Sequence, residues 1–345
     1  MPAELDNGLI VSLYSGSGRD VALAVSTVGA WTLEFDGSNW NTVGDDPLPG
    51  SESLAMRAIA DPSGAASALC VDGTGKVQVV GADFPSTGAQ IWSEGVGNWT
   101  TTTAKMPGFL QDVVAVGGED IAAAGTGETG VATTTGSIHS ELKFETVQLP
   151  GVQNEASLVD LAVSSGGVYG CGFNDGGDGS PEEPRQIVMR YANDEWTLLD
   201  TPCGQDCFGV GLAAIAATPT EVYVGGSRFI SEPGRAQESA WLAVYSIEMQ
   251  EWQEIVLPEA DSLGRVSAIL VASDGVVYLT GGESSAWIAR KEAASEPVVE
   301  WSSHDVVLWS LAELDDGQIV AGGVEPGLAA GRPVLFGRGL SLAGF

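Results

Sequence analysis

The chain has 345 residues, 47 of them glycine, and sets 46 Asp and Glu against 14 Lys and Arg, a formal net charge of −32 at pH 7. A surface field of that sign repels phosphate backbones and anionic lipid headgroups, which sets nucleic acid and membrane surfaces aside as partners. With 44% hydrophobic residues against 17% charged, the chain has apolar area for a large core, yet no run approaches the roughly 18 apolar residues of a membrane-spanning helix.

At the start of the chain, Met1 to Asn7 lack the basic and apolar regions of a secretory leader, which favours the cytoplasm. The alternative is a secreted or periplasmic domain whose leader has been removed. No long window carries the 3.6-residue apolar period of an amphipathic helix, whereas short apolar runs bounded by Gly and acidic turns recur throughout. The expectation is therefore an all-β chain.

One strand repeats from end to end. Its first apolar residue is Val21 in RDVALAV, Val77 in GKVQVVG, Ile121 in EDIAAAG, Val168 in GGVYGCG, Val222 in TEVYVGG, Val277 in GVVYLTGG and Ile319 in GQIVAGG. The spacing is ragged around about 50 residues, the length of a four-stranded propeller blade. A second landmark runs in phase. Phe144, Trp196 and Trp252 are each followed six positions on by a proline, Pro150, Pro202 and Pro258, and Trp40 and Trp99 hold matching places. A large flat side chain suits the last strand of a blade, packed between adjacent sheets, and proline ends the strand by removing a ladder donor. Segments such as Leu158 to Val163 and Val266 to Val271 supply a first strand, and Ile187 to Tyr191 and Trp241 to Tyr245 a third. These marks predict one seven-bladed β-propeller of four-stranded antiparallel blades over residues 1–345. Its approximate blades are 8–50, 51–108, 109–153, 154–206, 207–260, 261–305 and 306–345. The last is incomplete, because no Trp with a trailing Pro follows Pro333 to Phe336.

The clearest unit reads VYVGG at Val222 to Gly226, then Tyr245 and Trp252. Gly281 with Gly282 and Gly322 with Gly323 repeat the glycine doublet, and Gly170, Gly172, Tyr191 and Trp196 stand in the unit before. Over the second half of the chain this pattern resembles kelch-type propellers. The resemblance implies the fold and, most often, protein recognition; it implies no chemistry, because the matching residues are packing residues.

Candidates for chemistry are few. The only histidines, His139 and His304, fall in different units without a second ligand at metal-binding spacing, so a histidine metal centre and a Ser-His-Asp triad find no support. Cys70 and Cys171 sit in apolar strand patterns and read as buried thiols, whereas Cys203 and Cys207 in CGQDC would form a disulfide in an oxidising compartment. Asn174, Asp175 and Asp178 offer oxygen ligands to calcium but lack the EF-hand spacing. Trp92, Trp287 and Trp309 could stack on sugars if exposed, although their strand context favours packing.

Two insertions separate the second and third strands of neighbouring units: Gly172 to Arg185 and Ser227 to Glu238. Rigid scaffolds carry recognition on such segments. The expected contact surface is Asp175, Asp178, Glu182 and Arg185 with Arg228, Phe229 and Arg235. The reading that follows is a binding or scaffolding propeller, without cofactor or catalytic residue, whose acidic surface meets a basic protein partner. The alternative is an extracellular propeller that binds or cleaves glycans with calcium assistance.

Overall fold

The computed structural model describes residues 5, 8–26, 29–44, 46–51, 66–83, 88–107, 109–118, 120–126, 132–137, 145–146, 156–174, 186–193, 195–199, 210–232, 235–258, 263–282, 285–293, 295–326 and 332–337. Among them no helix is long and apolar enough to cross a membrane. The chain divides into two compact units. Met1–Ala123, Thr134–Phe144 and Val306–Phe345 form the first, and Ala124–Thr133 with Glu145–Asp305 the second.

In chain order the strands of the first two sheets are β1 (Gly8–Gly16), β2 (Arg19–Ser26), β3 (Gly29–Phe35) and β4 (Trp40–Thr42), then β5 (Ala66–Val71), β6 (Val77–Asp83), β7 (Gly88–Glu94) and β8 (Trp99–Pro107). There follow β9 (Phe109–Gly117), β10 (Asp120–Thr126), β11 (Ala132–Ser137) and β12 (Glu145–Thr146), and β13 (Ala156–Ser164), β14 (Gly167–Asn174), β15 (Gln186–Ala192) and β16 (Glu195–Leu198). The rest are β17 (Val210–Ala217), β18 (Glu221–Glu232), β19 (Arg235–Ser246) and β20 (Glu251–Ile255), β21 (Val266–Val271), β22 (Val277–Gly281), β23 (Ala286–Lys291) and β24 (Val298–Ser303), and β25 (Val307–Glu313), β26 (Ile319–Glu325) and β27 (Arg332–Gly337). The fold is an all-β propeller of antiparallel blades, four-stranded as a rule, each meandering from its first strand to its fourth.

The blade count differs from the expected seven. The described strands make six hydrogen-bonded sheets, because β9 to β16 form a single eight-stranded sheet. The join is one backbone pair, Thr126 with Ser157, which carries the ladder from β10 into β13. All seven recurrent strands nevertheless form: β2, β6, β10, β14, β18, β22 and β26 hold Val21, Val77, Ile121, Val168, Val222, Val277 and Ile319.

A regular irregularity accompanies the glycines, although Ala24 holds the equivalent place opposite Ile10 in the first blade. Register slips by one residue in the first strand of each unit whose pairing is defined, at Val11, Ser67, Val159, Ala213, Ser267 and Trp309. Such a bulge turns a backbone carbonyl toward the neighbouring strand. Any Cβ on Gly172, Gly226, Gly281 or Gly323 would overlap the carbonyl oxygen of Ser157, Gly211, Arg265 or Val307 respectively. The preceding position faces the next sheet. A Cβ on Gly225 would meet Val266 and Ile269 of β21, and one on Gly322 would meet Ile10 and Leu13 of β1. The doublets are thus not all equivalent. Gly281 takes the place of Gly226, while Gly282 lies beyond it with φ of 109°.

Sheet faces supply the core. In the first unit Val21, Leu23 and Val25 pack with Leu69, Val79 and Trp92. The chain's end meets its beginning there, with Ala312, Leu314, Val320 and Leu335 against Ile10, Leu33 and Trp40. In the second unit Tyr169, Cys171 and Val188 pack with Ile215, Val224 and Trp241, and Tyr223 and Leu242 with Val266, Leu279 and Trp287. Cys70 and Cys171 are buried thiols, as expected. The aromatic landmarks stack on the residue directly opposite in the third strand. Phe35 with Trp40, Tyr191 with Trp196 and Tyr245 with Trp252 have ring centroids 5.3, 5.3 and 5.1 Å apart.

Candidate functional site

Most polar clusters among the described residues are used up by the fold. The Arg19 guanidinium reaches Glu34 of its own sheet at 2.7 Å, Glu94 of the next at 2.5 Å and the Gly75 carbonyl at 2.8 Å. Its hydrogen bonds to Glu34 outweigh the cost of burial, and with those to Glu94 they hold its pKa above the usual value. Asp72 accepts from the amides of Thr74 and Lys76, the Thr74 hydroxyl and the Gln78 amide group. Burial alone would raise its pKa, but these donors outweigh burial and hold it below the carboxylate norm. The Asp160 carboxylate receives the Ile215 amide at 2.7 Å and so ties β13 to β17. Groups this fully engaged serve as fasteners. Among the described residues no cluster of His, Cys, Asp and Glu is placed to hold a metal ion.

The tryptophans weighed as sugar platforms are packing residues at two of three positions. Trp92 and Trp287 are fully buried, and their indole N–H groups donate to the carbonyls of Pro49 and Leu263 at 2.9 and 2.7 Å. Trp309, at the β25 bulge, is half-buried.

Of the segment Ser227 to Glu238, expected as an inserted loop, Ser227 to Glu232 and Arg235 to Glu238 are instead continuations of two strands. β18 and β19 run 12 residues each, and their ladder extends from Glu221 opposite Ser246 to Glu232 opposite Arg235. β17 supports this hairpin only as far as Arg228, and β20 only as far as Leu242. The last four pairs, from Phe229 with Glu238 to Glu232 with Arg235, therefore have no other strand beside them among the described residues. A bare two-stranded ribbon is marginal in water and shows unpaired backbone on both edges. At its base Arg228 makes a two-pronged ion pair with Glu254, at 3.0 and 2.8 Å, and lies over the Trp241 ring at 5.9 Å. Arg228 is thus a buttress rather than a free contact. Phe229 is the opposite case, a large aromatic 56% exposed on the face turned toward β21 to β24.

The remaining sequence-predicted site residues are not brought into this picture. Asp175, Asp178, Glu182, Arg185, Cys203 and Cys207 lie outside the described residues, Asn174 closes β14, and Arg235 opens β19.

Sequence reasoning missed one feature. At the other end of the β17 to β20 blade, a groove of about 430 Å3 opens toward the β21 to β24 blade, lined by Glu221, Tyr223, Ile255, Val256, Lys291 and Glu296 among others. The Tyr223 hydroxyl donates to Glu221 at 2.6 Å. Burial, and then that bond, raise the phenol's pKa, so it stays a donor at any physiological pH. The lining residues are scattered over some seventy positions of the chain, and only the strand order brings them together.

The blades and their packing define a β-propeller. No protein-family model and no curated protein matches the sequence, so the kelch-like resemblance gains no support. Solved structures do share the fold. One described as "YCF48 bound to D1 peptide" aligns over 94% of each chain with a TM-score of 0.59 and 12% identity. Another, "YCF48 from Cyanidioschyzon merolae", aligns over 94% of this chain and 95% of its own, with a TM-score of 0.61 and 12% identity. At that identity the likeness is one of fold.

Proposed function

We propose that this chain is a protein-binding propeller whose β18–β19 hairpin is the principal contact element. The observation that carries the reading is the unsupported end of that hairpin, with Phe229 exposed on it. A ribbon with two open edges and an aromatic anchor gains most from a partner that pairs with its backbone and covers the ring. The occurrence of a peptide complex in a structure of the same fold is consistent with this use. The sequence-based contact set extends the surface to Asp175, Asp178, Glu182, Arg185 and Arg235. With a net charge of −32, the partner surface is basic, and the field accelerates encounter in a salt-dependent way.

The test is affinity enrichment from the native host on immobilised wild-type protein and on two variants: Phe229→Ser, and a hairpin shortened to join Arg228 to Ser239 by a Gly-rich turn. The expected result is a partner recovered on the wild type, reduced on the first variant and lost on the second, both variants retaining the wild-type circular dichroism. A partner retained equally by all three removes the hairpin from the account.

A further inference from the structure

The groove between the β17 to β20 blade and the β21 to β24 blade carries charge that the fold does not neutralise. Glu221 receives the Tyr223 hydroxyl but has no ion pair among the described residues, and Glu296, exposed at the opposite wall, has none either. The one cation of the lining, Lys291, directs its ammonium to the carbonyls of Glu292 and Ala293, at 3.3 and 3.2 Å. Glu254, also in the lining, is already taken by Arg228. Beside these carboxylates lies one exposed aliphatic side chain, Val256 at 75%. β20 is the last strand of its sheet, and its residues 253–255 form one wall.

Three features thus coincide in one concave strip: uncompensated negative charge, an exposed β-branched side chain and a strand edge left unpaired among the described residues. A small anion is repelled by this combination, and a lone metal ion gains nothing from the valine. A chain segment in extended conformation satisfies all three, because its backbone pairs along β20 while side chains at alternate positions enter the groove together. We propose that this groove is a second interaction surface, taking an extended segment of a partner protein in which a Lys or Arg stands two positions from a Val, Ile or Leu. The cation sits between Glu221 and Glu296, and the aliphatic residue covers Val256. The proposal rests on the reading of the chain as protein-binding, but not on the hairpin, which lies at the other end of the blade.

The probe is a displayed library of random dodecapeptides, selected on the full chain and re-measured as labelled single peptides by fluorescence anisotropy. The variants are Glu221→Gln with Glu296→Gln, Val256→Lys as an independent change, and Phe229→Ala. Selected peptides are expected to carry Lys or Arg two positions from an aliphatic residue, and to bind at least about tenfold more weakly to the double Gln variant and to Val256→Lys, with Phe229→Ala unchanged. Peptides that are acidic or uncharged, or basic peptides indifferent to both groove variants, overturn the groove. Peptides lost only with Phe229→Ala overturn it while leaving the hairpin reading intact. An empty selection also overturns it, and then the affinity enrichment alone speaks for the hairpin.

Discussion

Three glycines of one blade should respond to alanine in a fixed order. On Gly226 the added methyl falls inside the Gly211 carbonyl oxygen, with the Leu212 Cα at 3.0 Å. Both obstacles are backbone of the bulged strand, which cannot move without breaking the register at Ala213. Overpacking a core costs about 1–3 kcal/mol, and a rigid obstacle belongs at or above the top of that range. On Gly225 the obstacles are side-chain atoms, Val266 Cγ1 at 2.6 Å and Ile269 Cδ1 at 3.1 Å. Rotation of these side chains relieves both contacts, while the Val266 Cβ at 2.9 Å requires a small shift of β21 as well, so the expected cost is about 2 kcal/mol. On Gly211 the nearest atom is the Ser227 hydroxyl at 3.7 Å, an ordinary contact, and the change should stay within about 0.5 kcal/mol. Urea unfolding followed by tryptophan fluorescence gives the three midpoints at comparable slopes. The order Gly226→Ala least stable, then Gly225→Ala, then Gly211→Ala supports the bulge as the cause of the glycine doublet. Equal midpoints for Gly226→Ala and Gly211→Ala would refute it.

Other consequences follow from the fasteners. Arg19→Met removes charge-assisted bonds to two sheets, so a loss of about 2 kcal/mol in urea unfolding is expected, reduced at high salt because Glu34 is 39% exposed. Asp72 has a folded pKa below its usual 3.8, so its contribution is complete above that value and lost as pH falls through the folded pKa. Asp72→Asn should therefore flatten the acid limb of the stability profile. Asp20 runs the other way. Burial raises its pKa despite bonds from the Ser15 hydroxyl and the Asp315 amide, so the folded state binds the extra proton and this residue lowers stability as pH rises through its folded pKa. Binding of a basic partner should weaken several-fold between 50 and 200 mM salt in a titration of affinity, since exposed charge pairs are screened over about 8–10 Å; no change would argue against the acidic surface as a contributor.

The recurrent second strands were legible because each combines a glycine or acidic turn with a β-branched run, signals that act within a few residues. The bulges were not, since a bulge is a count of residues between two paired strands and leaves no mark in composition. The same limit explains the blade count: the pair Thr126 with Ser157 joins segments that the repeat pattern separates. Ser227 to Glu238 reads as a loop because its charged residues and Pro233 interrupt the apolar pattern, yet Pro233 with Gly234 is itself a hairpin-turn signal. Arg228 and Phe229 are neighbours in sequence but fall on opposite faces of β18, which gives one an ion pair and the other solvent. The groove was invisible for a further reason: Glu221, Val256 and Glu296 acquire a common setting only through the packing of two blades.

The most direct measurement on the central claim is amide hydrogen exchange of the wild-type chain, alone and with the partner recovered by enrichment. The account predicts that residues 229–232 and 235–238, exchanging quickly in the free chain because no further strand covers them, become the most protected segment in the complex. Protection elsewhere, with this ribbon still exchanging at its free rate, would contradict the claim that the hairpin is the contact.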